Sequence, residues 1–247
     1  MASSAAATGR AIRGVLFDKD GTLFDFHATW DGWCAQLIAD LAGGDTALTA
    51  RLAEALAFDR AAATLRPESP VIAGTPVEVV DHLLPLLPLL PGWEARALVE
   101  HIVESSLSAP LSAAVPLDAL MARLRAAELI LGVATNDAEA AARAQLDAAG
   151  IEDAMSFVAG SDSGHGAKPD PGMLHAFCHS AGLAPAAVAM VGDSTHDLLA
   201  GAAAGMCCVG VLTGAAAAEV LSPHADVVLP DIGHLPAWLG LDLSPPT

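Results

Sequence analysis

The sequence has little positive charge and almost no lysine. Of eleven basic residues only Lys19 and Lys168 are lysines, against 29 acidic ones, and the formal net charge is -18. A chain this acidic repels polyanions and lacks the basic stripe that follows a phosphate backbone, so nucleic acid is not an expected partner. Cysteine is scarce as well. Cys34, Cys178, Cys207 and Cys208 show no C-x-x-C spacing and read as small buried hydrophobes in a reducing compartment rather than as a disulfide framework. The opening ten residues have neither the early positive charge nor the strongly apolar run of a secretory signal. Residues 198–218 lack charge altogether, but Gly201, Gly205, Gly210 and Gly214 break an alanine-rich, weakly apolar stretch. That pattern reads as helix, turn, buried strand and loop rather than a membrane span. The expectation is a cytoplasmic chain with no membrane partner.

At 247 residues the chain is long enough for one large core or two domains. Its organising stretch is Gly14-Val15-Leu16-Phe17-Asp18-Lys19-Asp20-Gly21-Thr22-Leu23, an apolar run ending abruptly in two aspartates. Short continuous apolar runs are expected of strands buried on both faces of a parallel sheet, and ligands of such sheets bind beyond the carboxyl ends of the strands. By itself the stretch fits an Asx-rich turn equally well.

Downstream the periodicity becomes helical. Trp30, Trp33, Leu37, Ile38 and Leu41 mark a helix stopped by Gly43-Gly44, and the tryptophans read as packing residues. A second helix is expected over 46–65, a third from Pro76 to about Leu84 and a fourth from Trp93 to about Leu107. Pro85, Pro88 and Pro91 interrupt the last two, and no strand is expected in this region. From residue 116 strands and helices alternate: helix 117–127, strand 129–134, helix 138–149, strand 156–159, helix 171–181, strand 188–191, helix 197–204 and strands 207–211 and 227–229. Such alternation predicts a parallel sheet with helices on both faces.

Asp18-Lys19-Asp20-Gly21-Thr22-Leu23 behind an apolar strand resembles the first motif of the haloacid dehalogenase superfamily in its phosphatase branch. Thr135-Asn136, Lys168-Pro169-Asp170-Pro171 and Val191-Gly192-Asp193-Ser194 with Asp197 each follow a predicted strand, in the order of that family's second, third and fourth motifs. One short motif is weak evidence; four in order are specific. The resemblance implies an α/β fold, with a Rossmann-like parallel sheet core over residues 1–26 and 113–247. It also implies an inserted α-helical cap over 27–112, as in phosphoglycolate phosphatase-like members.

The resemblance further implies a site. Asp18 would be the nucleophile, and Asp20 the acid and base serving the leaving group. Mg2+ would be held by Asp18, Asp193 and the backbone carbonyl of Asp20. Lys168 would offset the negative charge, Thr135 and Asn136 would bind the phosphate, and Asp197 would orient metal-bound water or Lys168. A helix N-terminal acid is the simpler reading of Asp197. Asp137 stands where relatives often carry lysine and can equally cap the next helix. The histidines read mostly as surface or satisfied core positions; His27 and His196 lie closest to the motifs.

The implied substrate is a small phosphorylated metabolite, and Arg51, Arg60, Arg66 and Arg96 are the cap residues able to pair with a carboxylate or second phosphate on it. A dehalogenase could lack Asp20, and a Schiff-base phosphonate hydrolase needs a cap lysine that residues 27–112 do not contain. A sugar-phosphate mutase and a non-catalytic metabolite-binding module remain as alternatives. The sequence does not read out the oligomeric state.

Overall fold

The computed structural model describes residues 11–87 and 94–241. Pro88, Pro91, Trp93 and the opening ten residues, on which expectations were placed above, lie outside them.

The chain begins with strand β1 (Gly14–Phe17), every residue of which is buried. The insert follows as α1 (Phe26–Ala42), α2 (Thr46–Ala55), a two-residue pair β2 (Phe58–Asp59) and β3 (Thr64–Leu65), α3 (Pro70–Ala73), α4 (Pro76–Leu83) and α5 (Ala95–Ser106). The chain then runs through α6 (Leu117–Ala126), β4 (Ile130–Ala134), α7 (Glu139–Ala148), β5 (Phe157–Ala159), α8 (Gly172–Ala181) and β6 (Val188–Gly192). It ends with α9 (Thr195–Ala204), β7 (Cys207–Val211), α10 (Ala218–Leu221), β8 (Val227–Leu229) and α11 (Leu235–Trp238).

Six strands form one parallel sheet in the order β5-β4-β1-β6-β7-β8. β1 is central, pairing with β4 through Phe17 opposite Val133 and with β6 through Phe17 opposite Val191. Side chains alternate across a strand. Val15 and Phe17 join the apolar cluster of Leu120, Leu124 and Leu146 from α6 and α7, while Leu16 joins Leu174, Phe177 and Ala200 from α8 and α9. Both faces are therefore covered, which is why the strands read as continuous apolar runs. No described helix is long and apolar enough to cross a membrane.

The insert has an apolar cluster of its own, with Trp30, Trp33 and Leu37 of α1 packed against Leu52, Val80, Leu83 and Ile102. Its second helix is ten residues long rather than extending to residue 65, and a strand pair occurs where none was expected. The cause is local. Asp59 accepts hydrogen bonds from the backbone N–H groups of Ala61 and Ala62, closing a turn, and Asp31 on α1 accepts from Leu65 N and Thr64 Oγ1 at 2.9 and 2.7 Å. These bonds give the backbone an alternative to the helix that its alanines favour.

Candidate active site

Three neighbouring strands release their chains at the same edge of the sheet. β1 ends in Phe17 and delivers Asp18, β4 ends in Ala134 and delivers Thr135, and β6 ends in Gly192 and delivers Asp193. Chain direction alone thus brings together residues distant in sequence.

Lys168 is the hub. Its Nζ donates to Asp18 Oδ1 at 2.5 Å, Asp197 Oδ1 at 2.6 Å and the carbonyl oxygen of Ala134 at 2.7 Å, so all three ammonium hydrogens have acceptors. Burial by itself would lower its pKa, but the Asp18 and Asp197 carboxylates overcome this and hold it above the usual lysine value. Asp18, Asp193 and Asp197 each offer an oxygen within 4.8 Å of the others. Burial raises Asp18 to about 7 against the opposing pull of Lys168, and raises Asp193 well above the usual carboxylate range with help from Asp18 and Asp197.

Asp197 serves two purposes. The helix α9 starts at Thr195, not at Asp197, and Asp197 Oδ2 accepts from Ser194 N and Ser194 Oγ at 3.1 and 2.7 Å in a capping box. Its other oxygen accepts from Lys168 Nζ, so one carboxylate both closes the helix start and holds the lysine. Asp193 sits in a close-fitting cradle. A Cβ at Gly214 would lie 1.7 Å from its Oδ2 and one at Gly21, where φ is +80°, 2.4 Å from the same atom. Both glycines are required by approach to this carboxylate.

Asn136 is placed differently from expectation. Its Nδ2 donates to the carbonyl oxygens of Lys168 and Ala73, each at 2.8 Å, and its Oδ1 accepts from Lys168 N at 2.8 Å. Both amide hydrogens are committed to carbonyls, so the side chain positions Lys168 and ties the second motif to α3 instead of donating to a phosphate. Thr135 Oγ1 accepts from Asp137 N at 3.1 Å, which leaves its hydroxyl hydrogen to donate.

Lys19 is the residue that sequence reasoning undervalued. It is wholly buried, and its Nζ lies 2.7 Å from Asp20 Oδ2, 3.2 Å from Asp137 Oδ2, against Gln145 Oε1 and 5.4 Å from the Trp30 ring centroid. Burial would lower its pKa; Asp20 and Asp137 reverse that and raise it. Asp137, raised by burial and partly compensated by Lys19, is therefore chiefly this lysine's counter-ion, although its Oδ1 also accepts from Ala138 N at 2.7 Å. The rarity of lysine in the chain was the available signal. Lys19→Met is expected to destabilise the fold by about 3–5 kcal/mol in urea unfolding, because it strands buried carboxylates; a change under about 1 kcal/mol would show that the pair is solvated.

Above these groups a cavity opens between sheet edge and insert, with about 60 Å3 inside that a water molecule's centre can reach. Asp20 lines it with a buried Oδ1 that has no hydrogen-bond partner. His196 also lines it, while His27 instead pairs with Asp31 and is half exposed. Arg51, Arg60, Arg66 and Arg96 do not line it. Arg66 pairs with Glu54 and Glu68, Arg96 pairs with Glu100 in solvent, Arg51 is exposed, and Arg60 borders a separate depression with Ala35 and Phe58. Trp30 and Trp33, besides packing edge to face at 5.0 Å, form part of the cavity wall.

A parallel α/β core with an aspartate pair, a lysine and a further acidic pair at one strand edge, under a helical insert, defines a capped hydrolase. The haloacid dehalogenase-like hydrolase family model matches residues 12–205. A phosphoglycolate phosphatase of Shigella boydii is 32% identical over 253 residues, covering 94% of each chain. One from Rhodospirillum rubrum is 38% identical over 122 residues, about half of either chain. In structure, a predicted phosphoglycolate phosphatase of Haemophilus somnus superposes with a TM-score of 0.69 at 20% identity, over 91% of this chain and 96% of that one. The chain belongs to the haloacid dehalogenase-like hydrolase family, among its phosphoglycolate phosphatase-like phosphatases.

Proposed function

We propose that the chain is a magnesium-dependent phosphomonoesterase that acts on a small phosphorylated metabolite through an aspartyl-phosphate on Asp18. The observation that carries this reading is the convergence of Asp18, Asp193 and the Lys168–Asp197 pair at the carboxyl edge of the central strands, with Asp20, whose buried Oδ1 has no hydrogen-bond partner, lining the same cavity.

The donor set fits a hard divalent cation. Both Asp197 oxygens are occupied by Lys168 and Ser194, so Asp18, Asp193 and the backbone carbonyl of Asp20 are the residues that would hold it. Bound there, magnesium supplies positive charge to a phosphate oxygen. Asp18 then forms an oxygen–phosphorus bond as the bond to the leaving alcohol breaks, and Asp20 donates a proton to the departing oxygen. In the second half, Asp20 takes a proton from water as that water attacks phosphorus, releasing phosphate and restoring the Asp18 carboxylate. Lys168, fixed by three acceptors, stabilises the charge that Asp18 and the phosphate share. Thr135 and the backbone amides of its loop serve the remaining phosphate oxygens.

The metal assignment has a pH signature. A carboxyl whose folded pKa lies above the ordinary 3.8 contributes stability that is complete below that value and is lost as pH rises through its folded pKa, about 7 for Asp18. Cation binding requires the ionised form. The gain in Tm on adding Mg2+ to metal-free protein is therefore expected to grow from about pH 5 to about pH 8, with phosphate release abolished by EDTA. A gain that is flat or shrinks over that interval contradicts the ligand assignment.

A further inference from the structure

The half of the cavity that meets the leaving group is apolar. Its wall from the insert consists of Phe26, Trp30 and Trp33 of α1, Val71 to Gly74 in and after α3, Pro76 and Val79 of α4, and Ile102 and Ser106 of α5. Among the described residues, Lys168 is the one lysine or arginine that lines the cavity, and it is already held between Asp18 and Asp197. The remaining lining charges are aspartates, namely Asp18, Asp20, Asp137, Asp193 and Asp197.

An anionic leaving group would therefore be carried away from water toward a hydrocarbon wall, with carboxylates beneath it and no lysine or arginine free to receive it; His196 is the one other lining side chain among the described residues that can carry positive charge. Burying an unpaired carboxylate is among the costliest substitutions a site can face. An apolar group in the same place gains from leaving water and from the aromatic faces. The polar side chains on this wall are few. Trp33 Nε1 donates to Ser105 Oγ at 2.9 Å and Ser106 Oγ donates to the Val103 carbonyl at 2.8 Å, whereas the buried Trp30 Nε1 has no partner. The wall thus has one hydrogen-bond donor to spare and no charge.

We infer that the substrate is the phosphomonoester of an uncharged, largely apolar alcohol, and not phosphoglycolate or a bisphosphate. This rests on the phosphomonoesterase reading above and adds the class of the leaving group. The surface arginines of the insert take no part in selecting it.

Benzyl phosphate and phosphoglycolate test it, since both release a primary alcohol and differ mainly in replacing a phenyl ring by a carboxylate. With purified full-length protein and Mg2+, kcat/KM for the benzyl ester is expected to exceed that for phosphoglycolate by ~100-fold or more. The non-hydrolysable analogues phenylethylphosphonate and phosphonopropionate, titrated by calorimetry into the same protein, are expected to differ in Kd in the same direction and to a similar degree. Phosphoglycolate hydrolysed as well as the benzyl ester, phosphonopropionate bound as tightly as its partner, or neither analogue bound overturns the inference. The expected order of Kd values with no phosphate released from any ester would uphold the apolar pocket and end the phosphomonoesterase reading.

Discussion

Asp18→Asn is expected to abolish phosphate release, lowering kcat by ~10^4-fold or more while leaving the protein folded. The amide keeps the volume of the carboxylate but cannot form an oxygen ester with phosphorus. Stability should hold because burial already disfavours the ionised form of Asp18, raising its pKa to about 7, and because Lys168 retains Asp197 at 2.6 Å. Matched urea transitions for the two proteins, together with lost turnover, separate chemistry from folding. Equal turnover would remove Asp18 from the mechanism.

Lys168→Met is expected to damage both activity and stability. It removes the ammonium that Asp18, Asp197 and the Ala134 carbonyl share, leaving two buried carboxylates without their counter-charge. Losing one partner of a buried ion pair costs about 3–5 kcal/mol, and losing a preorganised charge at the reacting phosphate about 10^2–10^3-fold in kcat. The two effects can be told apart. Adding Asp18→Asn to Lys168→Met removes one stranded charge, so the double variant should be more stable than Lys168→Met alone although less active, having lost the nucleophile as well. Additive losses in urea unfolding would mean that Asp18 and Lys168 do not share a charge-coupled site.

The same charge logic explains what was legible before the structure. Central strands such as Gly14–Phe17 and Val188–Gly192 are buried on both faces, so they announce themselves as unbroken apolar runs. The end of α1 at Gly43 was legible because left-handed backbone there calls for glycine. The β2–β3 pair was not, because Ala57 and Ala63 adopt φ of 49° and 53°, which alanine does not advertise. The closeness of Asp18, Lys168, Asp193 and Asp197 was legible because their motifs follow strands in a recognisable order. The Lys19–Asp137 pair was hidden, since nothing local links the first motif to the second. The outward placement of the four cap arginines was hidden for another reason. Arg51 and Arg96 lie on alanine-containing helices whose polar and apolar faces differ little, and Arg60 and Arg66 lie in the turn and loop around the unforeseen β2–β3 pair, where no periodicity applies.

The architecture also suggests how insert and core are held in register. Asn136 donates to the Ala73 carbonyl, Gln145 Nε2 donates to the Ser106 carbonyl at 3.1 Å, and Lys19 lies over Trp30. Each of these contacts joins a residue adjacent to the reacting groups to an element of the cavity roof.

In the proposed mechanism phosphorus passes through Asp18. Acid-quenching the protein during turnover of benzyl phosphate with Mg2+, then reducing and mapping its peptides by mass spectrometry, tests this most directly. Hydride reduction of the trapped acyl phosphate is expected at Asp18, yielding a homoserine there and at no other acidic residue. A label on another side chain, or turnover with Asp18 unmodified at every quench time, would contradict it.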